Sequence, residues 1–371
     1  MNISGYFKLR FTRGTDTPTK VNSAKALTAS PSSLNQKFSF RVFGCVAASL
    51  MISVGALNWL IDPLWYSGGN RLTGKNFPFN ERVSKTNLFL RSKTENYDCL
   101  IIGSSRVVAL NASEFKQYKC FNYSFKGGWA QDFVNVSKFV EKEGLKPKVI
   151  YVGVDEFNFV KQQDVKGKKE DFSKFATPSP YHAYFSSNVL LFSLMTLANR
   201  SPDPANYYNQ SYETIEFNSH PKYNPAFLPL ESSQQCDLSR LKPYLEIRRI
   251  FPTAKIIGYV PPRSAWSVVN ETYNRNIMDC VLQGFHEVSK SYDEMYDFSV
   301  PSSLTLNPAN TYDGSHFTPQ ANDEVIAVLE KRNNNFALNV GEYSLEGYKK
   351  AYKSKLKEFL VGQSRADLWQ N

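Results

Sequence analysis

Tyr97-Asp98-Cys99-Leu100-Ile101-Ile102-Gly103-Ser104-Ser105-Arg106 is the stretch on which the reading of this sequence turns. Leu100 to Ile102 is a short, continuous apolar run, the signature of a strand buried on both faces. It stops at a glycine and presents two hydroxyls. A buried strand that ends this way is a common means of setting a nucleophile at the carboxyl edge of an α/β sheet. Strand–Gly–Ser turns are also ordinary loops. The assignment therefore depends on whether the rest of the chain supplies a base, an orienting carboxylate and an oxyanion hole.

Downstream the pattern is regular. A short helix is predicted around Ser113–Tyr118, then a strand at Cys120–Tyr123. After Gly127-Gly128, Trp129 to Glu143 reads as a helix with Phe133, Val136 and Val140 on one face and Gly144 as its stop. Lys148 to Val154 is a third strand, closed by Asp155. Residues 156–240 break the rhythm. They are rich in Tyr, Phe, Pro, Asn and Ser, with one helix near Ser187–Ala198, and a stretch this long reads as a lid or binding insertion. Alternation resumes with a helix at Leu238–Ile250, a strand at Lys255–Val260 stopped by Pro261-Pro262, a helix over Val269–Val288 and a strand around Met295–Phe298. A last helix, Gln320–Lys331, follows Tyr312-Asp313-Gly314-Ser315-His316. Strands alternating with helices imply an α/β fold with a parallel sheet covered on both faces.

Upstream lies a different kind of sequence. Residues 1–41 are rich in Ser, Thr and Lys and hold seven Lys/Arg against one Asp, which is +6 of the chain's +10. They read as a disordered cytoplasmic tail, with a transit peptide as the alternative. Val42 to Ile61 carries no charge and has the length of one membrane-spanning helix, with Trp59, Trp65 and Tyr66 suited to the interface. The basic flank precedes it, so the amino terminus is expected in the cytosol and the domain outside it. A cleaved signal peptide is the rival, since Val54-Gly55-Ala56 suits a signal peptidase. Residues 62–96 read as a juxtamembrane linker, 97–332 as the catalytic-type domain, and 333–371 as a basic amphipathic tail helix with Leu345, Tyr348, Tyr352, Leu356 and Phe359 on one side.

A basic balance concentrated beside an apolar segment is topology information and argues against nucleic acid as a partner. The four histidines are scattered and no C-x-x-C spacing exists, so neither a metal nor another cofactor is expected. Cys99, Cys120, Cys236 and Cys280 are compatible with two disulfides or with four buried thiols. In an oxidising compartment the economical pairing is 99–120 with 236–280, because Cys99 and Cys120 introduce strands that should be neighbours.

The base candidate is His316. Asp313 stands three residues earlier in a Gly-containing loop, a spacing that lets the carboxylate hold one imidazole nitrogen while the other faces a nucleophile. With it the ordered set Gly103-Ser104-Ser105, Asn122-Tyr-Ser-Phe-Lys-Gly127, Gly153-Val-Asp155 and Asp313-x-x-His316 resembles the four blocks of the SGNH/GDSL hydrolase superfamily across roughly residues 97–332. The resemblance implies a flavodoxin-like sheet, Ser105 as nucleophile, His316 as base, Asp313 as its orienter, and the amides of Ser105 and Gly127 as oxyanion donors. The third oxyanion position, normally Asn, is Asp155 here. Either its carboxyl is protonated, or it has another role, or Asn158 substitutes.

With the anchor, the chain is similar to membrane-anchored envelope acyltransferases and esterases of bacteria. That implies acyl esters on a cell-surface polysaccharide as substrate, with a membrane protein as acyl donor among the possible partners. Arg106, Tyr207, Tyr208 and Tyr212 are the residues offered for substrate contact. A non-catalytic envelope-polysaccharide binding protein on a degenerate scaffold is the alternative, favoured by Asp155. Phosphate binding by Gly103–Arg106 is a third reading, weakened by the absence of a following Walker-type lysine.

Overall fold

The computed structural model describes residues 33–161, 170–177, 179–201, 206–216, 222–229, 232–331 and 336–369. Residues 1–32 of the expected tail, and parts of the 156–240 insertion, lie outside these. By contacts the chain divides into residues 1–50 and 51–371. The described part of the first unit is wholly helical, belonging to α1 (Ser33–Ile61). Over Phe38–Ile61 that helix is long and apolar enough to cross a membrane. The expected tail therefore ends earlier than its composition implies, because Ser33 to Arg41 continues the helix that the apolar run supports.

The second unit is built on a six-stranded sheet in the order β2-β1-β3-β6-β7-β8. The strands are β1 (Cys99–Ile102), β2 (Cys120–Asn122), β3 (Val149–Gly153), β6 (Lys255–Val260), β7 (Glu294–Asp297) and β8 (Leu338–Asn339). The first five run parallel, and only β8 at the edge is antiparallel. The two-residue β4 (Tyr207–Tyr208) and β5 (Thr214–Glu216) make a separate antiparallel pair. Because side chains alternate along a strand, Leu100 and Ile102 enter one core and Cys99 and Ile101 the other. This two-sided burial is what makes β1 apolar throughout.

The first core is closed by α3 (Ala130–Lys142), α6 (Leu241–Ile250), α8 (Met278–Ser289) and α10 (Leu345–Gly362). Phe133, Ile247, Phe285 and Leu356 are among the residues they bury there. The second is closed by α9 (Pro319–Leu329) through Ala321, Val325 and Leu329. Thr318 caps α9, accepting the amide of Ala321, and Pro319 stands at its first turn, where no amide partner is lost. The tail helix α10 packs with Tyr348, Tyr352, Leu356 and Phe359 buried, and the Tyr348 hydroxyl donates to Asp297 at the end of β7.

The structure corrects several sequence expectations. Residues 62–96 are not a linker. They carry α2 (Glu81–Arg91), whose Leu88 and Phe89 enter the first core, and Ile61, Leu64 and Trp65 are buried as well. The helix expected at Ser113–Tyr118 is a single 3-10 turn, Ala112–Glu114. The helix expected over Val269–Val288 is broken: α7 (Ala265–Val268) widens into a π turn at Val269–Tyr273, and α8 starts afresh after Asn276 adopts a left-handed φ of 54°. The helix expected near Ser187–Ala198 is present as α5 (Ser187–Leu197), and the shorter α4 (Pro180–Tyr184) precedes it. Disulfides join Cys99 to Cys120, residues in register on β1 and β2, and Cys236 to Cys280.

Candidate active site

Sheet order reverses at β1, with β2 on one side and β3 on the other, and loops leaving adjacent strands there diverge to opposite faces. Ser105 lies in the loop after β1, and Asp155 follows β3. The loop that carries Ser105 is seated by a close approach. A Cβ on Gly103 would meet Val107 Cγ2 at 2.3 Å and one on Gly153 would meet the same atom at 2.5 Å, so Val107 occupies a notch that only two glycines leave. Asn122, at the end of β2, donates its side-chain amide to the carbonyls of Val107 (3.1 Å) and Leu110 (2.8 Å), holding the turn that follows Ser105. Its oxygen accepts the Ser124 amide at 2.9 Å, starting the loop that reaches Gly127, where φ is +66°.

His316 stands in the loop before α9. Its Nε2 is 2.9 Å from Ser105 Oγ, and its Nδ1 is 2.7 Å from Asp313 Oδ2. The other Asp313 oxygen accepts the backbone amides of Ser315 and His316, each at 2.8 Å. Burial pushes the Asp313 carboxyl up, but the bond from His316, the imidazole's charge and these amides outweigh it and hold it below the usual range. The ring of Tyr312 stacks on that of His316 at 5.4 Å with a 10° tilt. A carboxylate fixed by two amides, an imidazole oriented by it, and a hydroxyl at the far nitrogen form a complete proton-transfer chain. The His316 side chain is 28% exposed, so the chain is open to a substrate.

Arg106 does not face outward. Its side chain is only 10% exposed and its guanidinium is spent on protein partners. Nε donates to Ser315 Oγ (2.7 Å), and Nη1 reaches Asp155 Oδ1 (3.3 Å) and Glu156. Glu156 is bridged in turn to Arg263 (3.3 Å), which also pairs with Glu271. Burial raises the Glu156 carboxyl, yet the two guanidiniums bring it down to about 2. Asp155 is fully buried, and burial wins over Arg106, pushing its carboxyl up to about 6. A hydrogen bond from the Ser104 side chain favours its ionised form, but less than burial opposes it. As an acceptor beside Arg106, Asp155 is placed to hold the loop that carries Ser105, and an ionised carboxylate has no hydrogen to donate to an oxyanion. Asn158 does not take over that position either. It is buried, with its amide nitrogen on Tyr244 Oη (3.0 Å) and its oxygen on the Ala130 amide (3.2 Å).

Tyr208 and Tyr212 are corrected too. They are 1% and 3% exposed, packed on each other at 4.7 Å, with Trp65 on Tyr212 at 4.4 Å, so neither has a face for a sugar. Tyr207 is half-buried against Phe77 at 4.8 Å. The residues missed from the sequence are Ser315, Glu156 and Arg263. Arg263 had a signal, since it closely follows the carboxyl end of a strand in a parallel sheet, where site residues collect. Comparison of the sequence with models of known protein families and with curated proteins finds no match.

Proposed function

We propose that the chain is a serine-dependent acyl-transfer enzyme, an esterase or O-acyltransferase of the SGNH type acting on acyl esters of a cell-envelope polysaccharide. The observation that carries this is the continuous chain Asp313–His316–Ser105 at 2.7 and 2.9 Å. It is also what favours an enzyme over a polysaccharide-binding scaffold, which has no use for an oriented base on a hydroxyl. The five parallel strands lie in the flavodoxin-like order 2-1-3-4-5 when numbered among themselves, which agrees with the SGNH reading of the sequence blocks.

In the first half-reaction Ser105 Oγ adds to the ester carbonyl carbon while its proton passes to His316 Nε2. The oxyanion is received by the amides of Ser105 and Gly127. The bond to the leaving alkoxide breaks, and the imidazolium returns the proton to that oxygen. Water or a sugar hydroxyl then attacks the acyl-Ser105 carbonyl, giving its proton to His316, and the serine is regenerated. Asp313 stabilises the imidazolium in both halves.

The apolar helix Phe38–Ile61 and the basic residues before it favour a single-pass protein with its amino terminus in the cytoplasm and the site outside. A membrane protein that hands over the acyl group is a compatible partner. The test is labelling of the full chain by a fluorophosphonate probe. Labelling at Ser105 that is lost in Ser105→Ala and in His316→Ala supports the proposal. An unlabelled wild-type chain, folded by its melting transition, overturns it.

A further inference from the structure

The uncharged stretch around α4 and α5 contains a helix that is apolar on its outer face as well as its inner one. Along α5, Val189 and Ser193 are buried and Phe192 stacks on Phe79, whereas Leu191, Leu194 and Leu197 are 54, 48 and 47% exposed. The residue before Ser186, Phe185, is 55% exposed and Tyr181 is 73% exposed. From Ala176 to Asn199 the sequence has no Asp, Glu, Lys or Arg. A helix in water keeps its outer face polar, and one that leaves three leucines on that face suits a surface that lies in hydrocarbon.

What this helix sits beside names the occupant. Asn58, in the last turns of α1, is completely buried, and its side chain is shared with the α4–α5 corner. Nδ2 donates to the carbonyls of Tyr184 (2.7 Å) and Ser186 (3.4 Å), and Oδ1 accepts the hydroxyl of Ser193 (2.9 Å). One residue on, Trp59 is 45% exposed with the guanidinium of Arg71 at 4.3 Å over its ring, an aromatic–cation pair suited to headgroup level.

The geometry points to α4–α5 as a second membrane contact, a shallow apolar shelf that lies in the outer leaflet against lipid acyl chains, beside the exit of α1. The inference rests on the reading of α1 as a membrane anchor. It goes beyond that reading because a single-pass anchor does not require any part of the domain to enter lipid.

The test uses the full chain in phosphatidylcholine–phosphatidylglycerol liposomes containing an alkyne-tagged lipid, with a photoreactive benzophenone residue placed at Leu194, at Leu50 within α1, or at exposed Lys350 on α10. Lipid adducts from Leu194 at the level of those from Leu50, with none from Lys350, are expected. Adducts from Leu50 alone overturn the shelf and leave the anchor standing. Crosslinking of Leu194 to a second copy of the chain in place of lipid also overturns it. Loss of adducts from both Leu50 and Leu194 overturns the anchor reading itself.

Discussion

Arg106 Nε donates to Ser315 Oγ across 2.7 Å, joining the residue after Ser105 to the residue before His316. Two loops from distant parts of the chain are thereby tied together beside the 2.9 Å Ser105–His316 bond. The same guanidinium is fixed from the other side by Asp155 and Glu156. Ser315→Ala removes the cross-link and leaves the ion pairs. We expect kcat on p-nitrophenyl acetate to fall roughly ten- to hundredfold with KM little changed, the rate equivalent of a charged hydrogen bond of about 1.5–3 kcal/mol. An unchanged kcat would show that the loops hold their spacing without Arg106.

Replacing Asp313 by Asn keeps the shape of the pair but loses the charge that stabilises the imidazolium and fixes its tautomer. The expected loss in kcat is roughly 10⁴-fold, smaller than the roughly 10⁶-fold loss expected of Ser105→Ala. Because the three groups act as a unit, the double variant should be no slower than Ser105→Ala alone. A double variant slowed by the product of the two losses sinks the idea of one catalytic unit.

The strands of this fold are legible because burial on both faces writes them as continuous apolar runs, as at Leu100–Ile102 and Ile256–Ile257. The Asp313–His316 pair is legible because it is local, a spacing of three in one loop. α2 is not, since its buried positions include Glu81, Ser84, Lys85, Thr86 and Asn87, and a helix that buries polar groups shows no apolar period. Tyr212 looks like an exposed insertion residue for a related reason: what covers it, Trp65 and Lys85, comes from a stretch with no visible pattern. The role of Arg106 depends on Asp155, Glu156 and Ser315, partners whose proximity no sequence spacing encodes.

Asp155 gives a prediction with a sign. Its carboxyl stands at about 6 in the fold against an ordinary 3.8, so between these limits the native state keeps a proton that the unfolded chain has released. Stability from this group is complete below pH 3.8 and is lost as pH rises through 6. Asp155→Asn removes that loss. The stability difference between variant and wild type, from urea unfolding, should move in favour of the variant by about 2 kcal/mol between pH 4 and pH 6.5. Glu156, lowered to about 2, acts in the opposite sense, its contribution being lost only as pH falls below 4.5 towards 2. A difference that is flat above pH 4 would mean that Asp155 is ionised throughout.

The two disulfides close loops of different length, with sequence separations of 21 for Cys99–Cys120 and 44 for Cys236–Cys280. Chain entropy alone assigns them about 3 and about 4 kcal/mol. Cys236→Ser with Cys280→Ser should therefore lower the urea midpoint of the full chain, with more of the loss in the refolding of the unfolded ensemble than in native contacts. The check is whether the variant's compactness when unfolded, read from its m-value, changes together with its midpoint. A midpoint equal to that of the wild type would show that the bridge does not form in solution.

Asp62, where α1 ends, gathers the amides of Tyr66, Ser67 and Gly69 at 2.7–2.9 Å, while Asn76 donates back to the Asp62 carbonyl at 3.1 Å. With Asn58 locked to the α4–α5 corner, the last turns of the apolar helix belong to the folded domain, and no hinge separates them from it. A helix end bound in this way passes any pull or twist on its last turns straight into the packing around α4, α5 and residues 62–76, where a free linker would absorb it.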